Sequence, residues 1–165
     1  MKRIIVAILV LGFASTSVFA SNFHTWKFFG SVTNVAFSSD GKKALIVSNL
    51  ELDLYTYHST IVVKDAINGE TLRAWKLDTL VWTAAFSPDG SKVLAGSRDD
   101  TAVLRDVKTG KTLHTWKHDD NVEIIAFSPD GSKVLTGADY TVVLRDVKSG
   151  KTTMKNNISA KSIAF

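Results

Sequence analysis

Short runs of alternating apolar and polar residues, cut by turn formers, cover the chain from Asn22 onward. "VWTAAF" (Val81–Phe86) ends in Ser-Pro-Asp-Gly, where proline fixes φ and Asp-Gly supplies a tight hairpin turn. "KVLAGS" (Lys92–Ser97) ends in Arg98-Asp99-Asp100, and "TAVLRDV" (Thr101–Val107) ends in Lys108-Thr109-Gly110-Lys111. "TLHTWK" (Thr112–Lys117) closes the unit. No stretch of this region repeats its apolar residues about every 3.6 positions, so the pattern predicts strands and no helix. In the first strand of each unit, Val35/Phe37, Ala84/Phe86 and Ile125/Phe127 share one face, with Ala36, Ala85 and Ala126 on the other. Such a strand is buried on both sides.

The unit recurs. "AFSPDGSKVL" stands at Ala85–Leu94 and again, letter for letter, at Ala126–Leu135, 41 residues on. "VLRDVKTGKT" (Val103–Thr112) returns as "VLRDVKSGKT" (Val143–Thr152), with a diverged copy, "VVKDAINGET", at Val62–Thr71. Trp26, Trp75 and Trp116 keep the same spacings, 49 and 41, as Phe37, Phe86 and Phe127. The longer first interval falls in "SNLELDLYTYHST" (Ser48–Thr60). Four antiparallel strands in about 41 residues make one propeller blade. The expected fold is therefore all-β: three four-stranded blades over about 31–76, 80–117 and 121–155. An orphan strand precedes them (His24–Phe29), and the start of a further blade, 161–165, follows. A ring closes with about seven such blades, so three leave it incomplete. A fragment of a longer reading frame, a truncated gene remnant, and a protomer that self-associates through exposed blade faces all fit.

The N-terminus follows another pattern. Lys2 and Arg3 precede an apolar run from Ile4 to Phe13, and Val18-Phe19-Ala20 has small residues before Ser21. That order predicts a cleaved signal peptide over 1–20. The run is too short for a membrane span, which needs about 20 apolar residues. Cleavage leaves 21–165, enough chain for one core, with no membrane segment. The absence of cysteine excludes disulfides, thiolate metal sites and a cysteine nucleophile. An exported chain without disulfides fits a periplasmic or secreted location. Net charge is +4, including Lys2 and Arg3. No Lys/Arg block marks a nucleic-acid surface.

"AFSPDG", "GSRDDT" and "LRDVKTGK" resemble the tryptophan–aspartate (WD) repeat β-propellers in their bacterial form, with "LRD" where the family usually has "LWD". The resemblance covers Asn22–Phe165 and implies a polar network in each blade: His before the first strand, Ser/Thr on the second, Asp in the next turn, Trp on the third. His118, Thr136 and Asp139 match it in the third blade, with Arg145 at the Trp position. The second blade keeps Asp99, with Leu77, Ala95 and Arg105 at the other positions, and the first has Lys64 for Trp. These are structural positions, and a buried arginine there needs a partner. Asp139 and Asp99 are the expected ones.

No catalytic signature emerges. "TGKT" (Thr109–Thr112) and "SGKT" (Ser149–Thr152) lack the upstream glycine and the helix of a phosphate loop, with Arg105 and Arg145 in the glycine's place. Asp99-Asp100 and Asp119-Asp120 lack the alternating oxygens of a calcium loop. His114 and His118 flank a strand end rather than one helix face. No cofactor or metal is expected. The candidate interaction surface is Thr33, Trp82 and Glu123, equivalent residues near the starts of the three first strands, where propellers of this family often meet partners. Trp82 reads either as an exposed interface anchor or as a buried inter-blade side chain. Tyr55 and Tyr57, in the longer first unit, belong either to this surface or to an extended hairpin. The leading expectation is a noncatalytic exported scaffold that binds a protein or peptide. The alternative is part of a propeller sensor or enzyme whose active site lies in further sequence.

Overall fold

The computed structural model describes residues 3–8 and 24–157, which form strands and no helix. The first blade contains β3 (Ser31–Phe37), β4 (Lys43–Glu51), β5 (Tyr57–Asp65) and β6 (Thr71–Leu77), after β1 (Arg3–Ile8) and β2 (His24–Phe29). The second contains β7 (Val81–Phe86), β8 (Lys92–Ser97), β9 (Thr101–Asp106) and β10 (Thr112–Lys117). The third contains β11 (Val122–Phe127), β12 (Lys133–Ala138), β13 (Thr141–Asp146) and β14 (Thr152–Asn157). Each is an antiparallel meander with strands paired in chain order, so the expected class of all-β blades in an unclosed array holds. Strand β2, expected to stand alone, pairs antiparallel with β1, from Arg3↔Phe29 to Ile8↔His24. Strand β1 lies within the segment assigned to the leader, and β2 beyond it. Residues 1–2 and 9–20 of that leader and the further blade start at 161–165 lie outside the described residues.

The turns explain the repeated decamer. In each first hairpin a serine hydroxyl donates to an aspartate two residues on: Ser38 to Asp40 (2.6 Å), Ser87 to Asp89 (2.5 Å) and Ser128 to Asp130 (2.5 Å). The same hydroxyls accept the backbone N–H of Lys43, Lys92 and Lys133, each at 2.9 Å. Gly41, Gly90 and Gly131 take φ of +67°, +64° and +69°, a left-handed geometry that suits glycine. These hydrogen bonds favour the ionised carboxylate, holding Asp89 and Asp130 at a pKa of about 2. Ser, Asp and Gly are thus each fixed by hairpin geometry.

The core lies between the blades. Leu45, Val47, Ile61, Val63 and Trp75 of the first blade cluster with Val81, Ala84, Val93, Ala95 and Val107 of the second. Leu94, Ala102, Leu104 and Trp116 of the second meet Val122, Val134, Ala138 and Val147 of the third. Trp26 on β2 covers Ala44 and Ile46 of the first blade. Each fully buried aliphatic side chain contributes about 1.5–3 kcal/mol. Because these residues sit at junctions, a separated blade loses most of that contribution. The sheets approach closely at Gly96, where an added Cβ would stand 2.5 Å from the Val122 carbonyl oxygen and 2.8 Å from its Cγ1.

Gly96→Ala is therefore expected to weaken the junction between the second and third blades by roughly 1–3 kcal/mol. Urea unfolding with unchanged m-value checks this, and a midpoint equal to that of the parent chain would contradict it.

Candidate functional site

The meander sends its connections to two edges. One collects the Ser-x-Asp-Gly turns and the turns after β5, β9 and β13. The other collects the β4–β5, β8–β9 and β12–β13 connections and the starts of β3, β7 and β11. Thr33, Trp82 and Glu123 lie at this second edge, and in all three blades the ladder skips them. Val32 pairs with Ser48 and Asn34 with Val47, Val81 with Ser97 and Thr83 with Gly96, and Val122 with Ala138 and Ile124 with Gly137. Each is the extra residue of a β-bulge, a device that re-aims a side chain out of the pleat.

All three positions are exposed, and Trp82 leaves 44% of its surface open. Thr33 also contributes within the fold, where its hydroxyl accepts from Asn49 Nδ2 (2.9 Å). The same Nδ2 donates to the Val81 carbonyl (3.0 Å), and Ser59 Oγ donates to Asn49 Oδ1 (2.5 Å), pinning the first blade to β7. The extra residues of the first blade lengthen the β4–β5 hairpin to nine residues per strand. At its tip Asp53 accepts the N–H groups of Tyr55 and Thr56, and Tyr55 stands 77% exposed. Tyr57 is half-buried, with its hydroxyl 3.3 Å from Glu51 Oε1 and the Arg98 guanidinium 5.4 Å from its ring. His58 Nδ1 and Asp78 Oδ1 meet at 2.9 Å on the same edge.

The third blade brings His118, Thr136 and Arg145 together. Arg145 Nη1 donates to Thr136 Oγ1 and to His118 Nε2 (3.1 Å), and Thr136 Oγ1 lies 2.9 Å from that nitrogen. An imidazole nitrogen that accepts from a guanidinium carries no proton, so His118 is neutral. Burial and then the adjacent Arg145 charge push its pKa down to about 4. The carboxylates expected as arginine partners stand elsewhere. Among the described residues Asp139 makes no ion pair with Arg145. Asp99 accepts from Ser97 Oγ (2.8 Å) and Thr101 Oγ1 (2.7 Å) inside its own turn. The side chains nearest to Arg145 are a hydroxyl, an imidazole and an indole.

That indole is the feature to which motif spacing alone assigned no role. Arg145 sits 5.3 Å from the ring centroid of Trp116, on the outer strand of the preceding blade. Arg105 sits 5.6 Å from Trp75, and Lys64 Nζ 5.4 Å from Trp26. Trp75 Nε1 donates to the Gly110 carbonyl (3.0 Å) and Trp116 Nε1 to that of Gly150 (2.9 Å), both in the following blade. Where the resemblance to WD-repeat propellers implies a third-strand tryptophan, a cation thus stands, and the indole comes from the neighbouring outer strand. The signal was present in the sequence: regular Trp spacing, together with a cation at each "LWD" position. Arg105 lacks the help Arg145 receives, since Ala95 and Leu77 stand where the third blade has Thr136 and His118, and its buried Nε has no acceptor.

Among the described residues no group of three His, Asp or Glu side chains is placed to hold a metal ion. The geometry offers exposed aromatic surface at one edge and satisfied turns at the other.

Stacked four-stranded meanders with their core between them define an open array of β-propeller blades. Two stretches, 70–106 and 110–146, match the family model described as WD domain, G-beta repeat. These two stretches are similar to WD repeats. Each matched stretch runs from one blade's outer strand into the next blade, so a repeat contains both members of a tryptophan–arginine contact. No curated protein matches the chain. Among solved structures, the chain described as "Structure of U3-55K" is similar in fold, with a TM-score of 0.67 at 16% identity. The match covers 79% of this chain and 40% of that one.

Two outcomes follow from the His118 cluster. The unfolded chain protonates His118 near pH 6.5, whereas the folded chain resists until about pH 4. Stability is full above the upper value and lost as pH falls between the two, by roughly 2–3 kcal/mol. Asp89 and Asp130 titrate lower, so His118→Gln is expected to flatten this window in pH-dependent urea melts. Ala95→Thr gives Arg105 the hydroxyl that Arg145 already has, and is expected to raise stability by about 1 kcal/mol. A lowered midpoint would contradict that assignment.

Proposed function

We propose that this protein is an exported, noncatalytic scaffold that binds a protein or peptide through the rim centred on Trp82, and that its three blades form part of a larger propeller. The observation that carries the reading is the bulge that turns Trp82 outward at this edge. A large aromatic held rigidly and left 44% exposed is a typical interface anchor. Glu123 and Thr33 flank it at equivalent positions, and the Tyr55 hairpin adds apolar surface at the same edge. WD-type repeats bind protein partners as a class, which supports the reading.

The open flank supports the larger ring. Leu94 and Leu104 of the second blade are fully buried by the third, whereas their counterparts Leu135 and Leu144 remain half-buried. Export rests on the N-terminal pattern, and the bacterial character on the form of the repeats. Cleavage after Ala20 removes β1 and leaves β2 held to the first blade through Trp26.

A photo-crosslinking residue at position 82 is expected to yield a discrete adduct in the native cell envelope or culture fluid, and the same residue at Thr115, exposed on the outer strand β10, none. Equal yields at the two positions, or none at 82, would sink the rim assignment. Mass spectrometry of the exported fraction is expected to find Ser21 as the N-terminus. Intact chain confined to the cytoplasm would refute export.

A further inference from the structure

Two cavities open on the edge opposite Trp82, and the repeat makes them equivalent. The first, about 430 Å³, lies between the first and second blades, where Leu72 and Val107 meet the cations Lys43, Arg73 and Lys108. The second, about 610 Å³, lies between the second and third blades, where Leu113 and Val147 meet Lys92, His114 and Lys148. Lys43 corresponds to Lys92, Leu72 to Leu113, Arg73 to His114, Val107 to Val147 and Lys108 to Lys148. The same combination of aliphatic lining and positive rim is therefore built twice, at successive junctions.

Asp89 and Asp146 also reach these cavities, but their own hairpins hold them. Asp89 accepts from Ser87 Oγ (2.5 Å), Ser91 N (3.0 Å) and Ser91 Oγ (2.7 Å). Asp146 accepts from Ser149 N and Oγ, both at 2.7 Å. Lys92 Nζ donates to Ser91 Oγ (2.9 Å) and stands 3.9 Å from Asp89 Oδ2, whereas the other lysines are less committed. Among the described residues Lys43, Lys108 and Lys148 make no hydrogen bond or ion pair through Nζ. Arg73 directs Nη1 to the Leu72 carbonyl (2.8 Å) and Nη2 to that of Lys108, while its Nε is buried without an acceptor. His114 Nε2 donates to the Val147 carbonyl (3.0 Å), and its ring stacks on Trp116, so the second groove has a rigid wall.

We propose that these two grooves form a docking site for an extended acidic peptide with interspersed aliphatic residues, one aliphatic side chain entering each groove while neighbouring carboxylates meet the lysines. The aliphatic lining decides between anions. A phosphate backbone would use the charge and leave the exposed Leu113 and the half-buried Leu72 uncovered, whereas an acidic amphipathic peptide uses both. Repetition at successive junctions lets one chain engage both grooves, and linked contacts strengthen each other through effective concentration. The site is independent of the Trp82 rim and lies on the other edge.

The test is fluorescence anisotropy of the full chain with a labelled peptide of about eight alternating Glu and Leu residues, enough to span successive junctions in an extended form. Saturable binding that weakens with salt is expected. Lys108→Glu with Lys148→Glu should lower affinity roughly tenfold. Leu113→Ser should lower it roughly threefold while leaving the salt slope unchanged. Trp82→Ala should leave it unaltered, and circular dichroism melts establish that each variant folds. The proposal is overturned by absent saturation, by equal affinity for an all-Glu peptide, a Lys–Leu peptide or a single-stranded oligonucleotide, or by unchanged affinity in the double lysine variant.

Discussion

The indole N–H groups of Trp75 and Trp116 each cross a blade junction to a glycine carbonyl, and an arginine of the following blade lies over each ring. The rest of the array depends on this contact. A single four-stranded blade has two apolar faces and cannot bury either alone, so neighbours must stack in a defined stagger. Apolar packing is non-directional, and the clamp supplies direction by fixing one outer strand against the next turn. Its cost is the desolvation of a cation: burial lowers the pKa of Lys64, Arg105 and Arg145 alike. The ring face offsets part of that cost, and in the third blade Thr136 and His118 offset more.

The clamp has a limit within the chain. On β14, Asn156 pairs with Val142 in the register where Trp116 pairs with Ala102 on β9 and Trp75 with Ile61 on β5. The outward flank of the third blade therefore presents aliphatic surface without an indole. Whatever packs there meets a different contact from the one joining the first three blades.

The two edges divide the labour differently. On one, serine, aspartate and glycine are consumed in closing hairpins, and lysines are left at the grooves between blades. On the other, bulges break the ladder and turn Thr33, Trp82 and Glu123 outward. The first arrangement arises because tight turns need particular residues, which is why the decamer repeats without change. The second is a backbone event that tolerates Thr, Trp or Glu, so the positions share a geometry but no residue type. Strand order, turn placement and blade class were legible because alternation and Asp-Gly turns act over a few residues. The His118, Thr136 and Arg145 group was legible through its resemblance to known repeats. The arginine's aromatic partner was not, because Trp116 and Arg145 belong to different blades and meet only when the blades stack.

Local chemistry in the sequence determined where the chain reverses, which residues alternate into each face, and that one unit recurs. Only the tertiary structure decided how the units face one another. It set the cations over indoles rather than beside Asp139 and Asp99, opened equivalent grooves at two junctions, and gave Trp82 its exposure. The physical reason is range: turn and strand preferences are settled by neighbours along the chain, whereas desolvation and stacking are settled by whatever the neighbouring blade brings into contact.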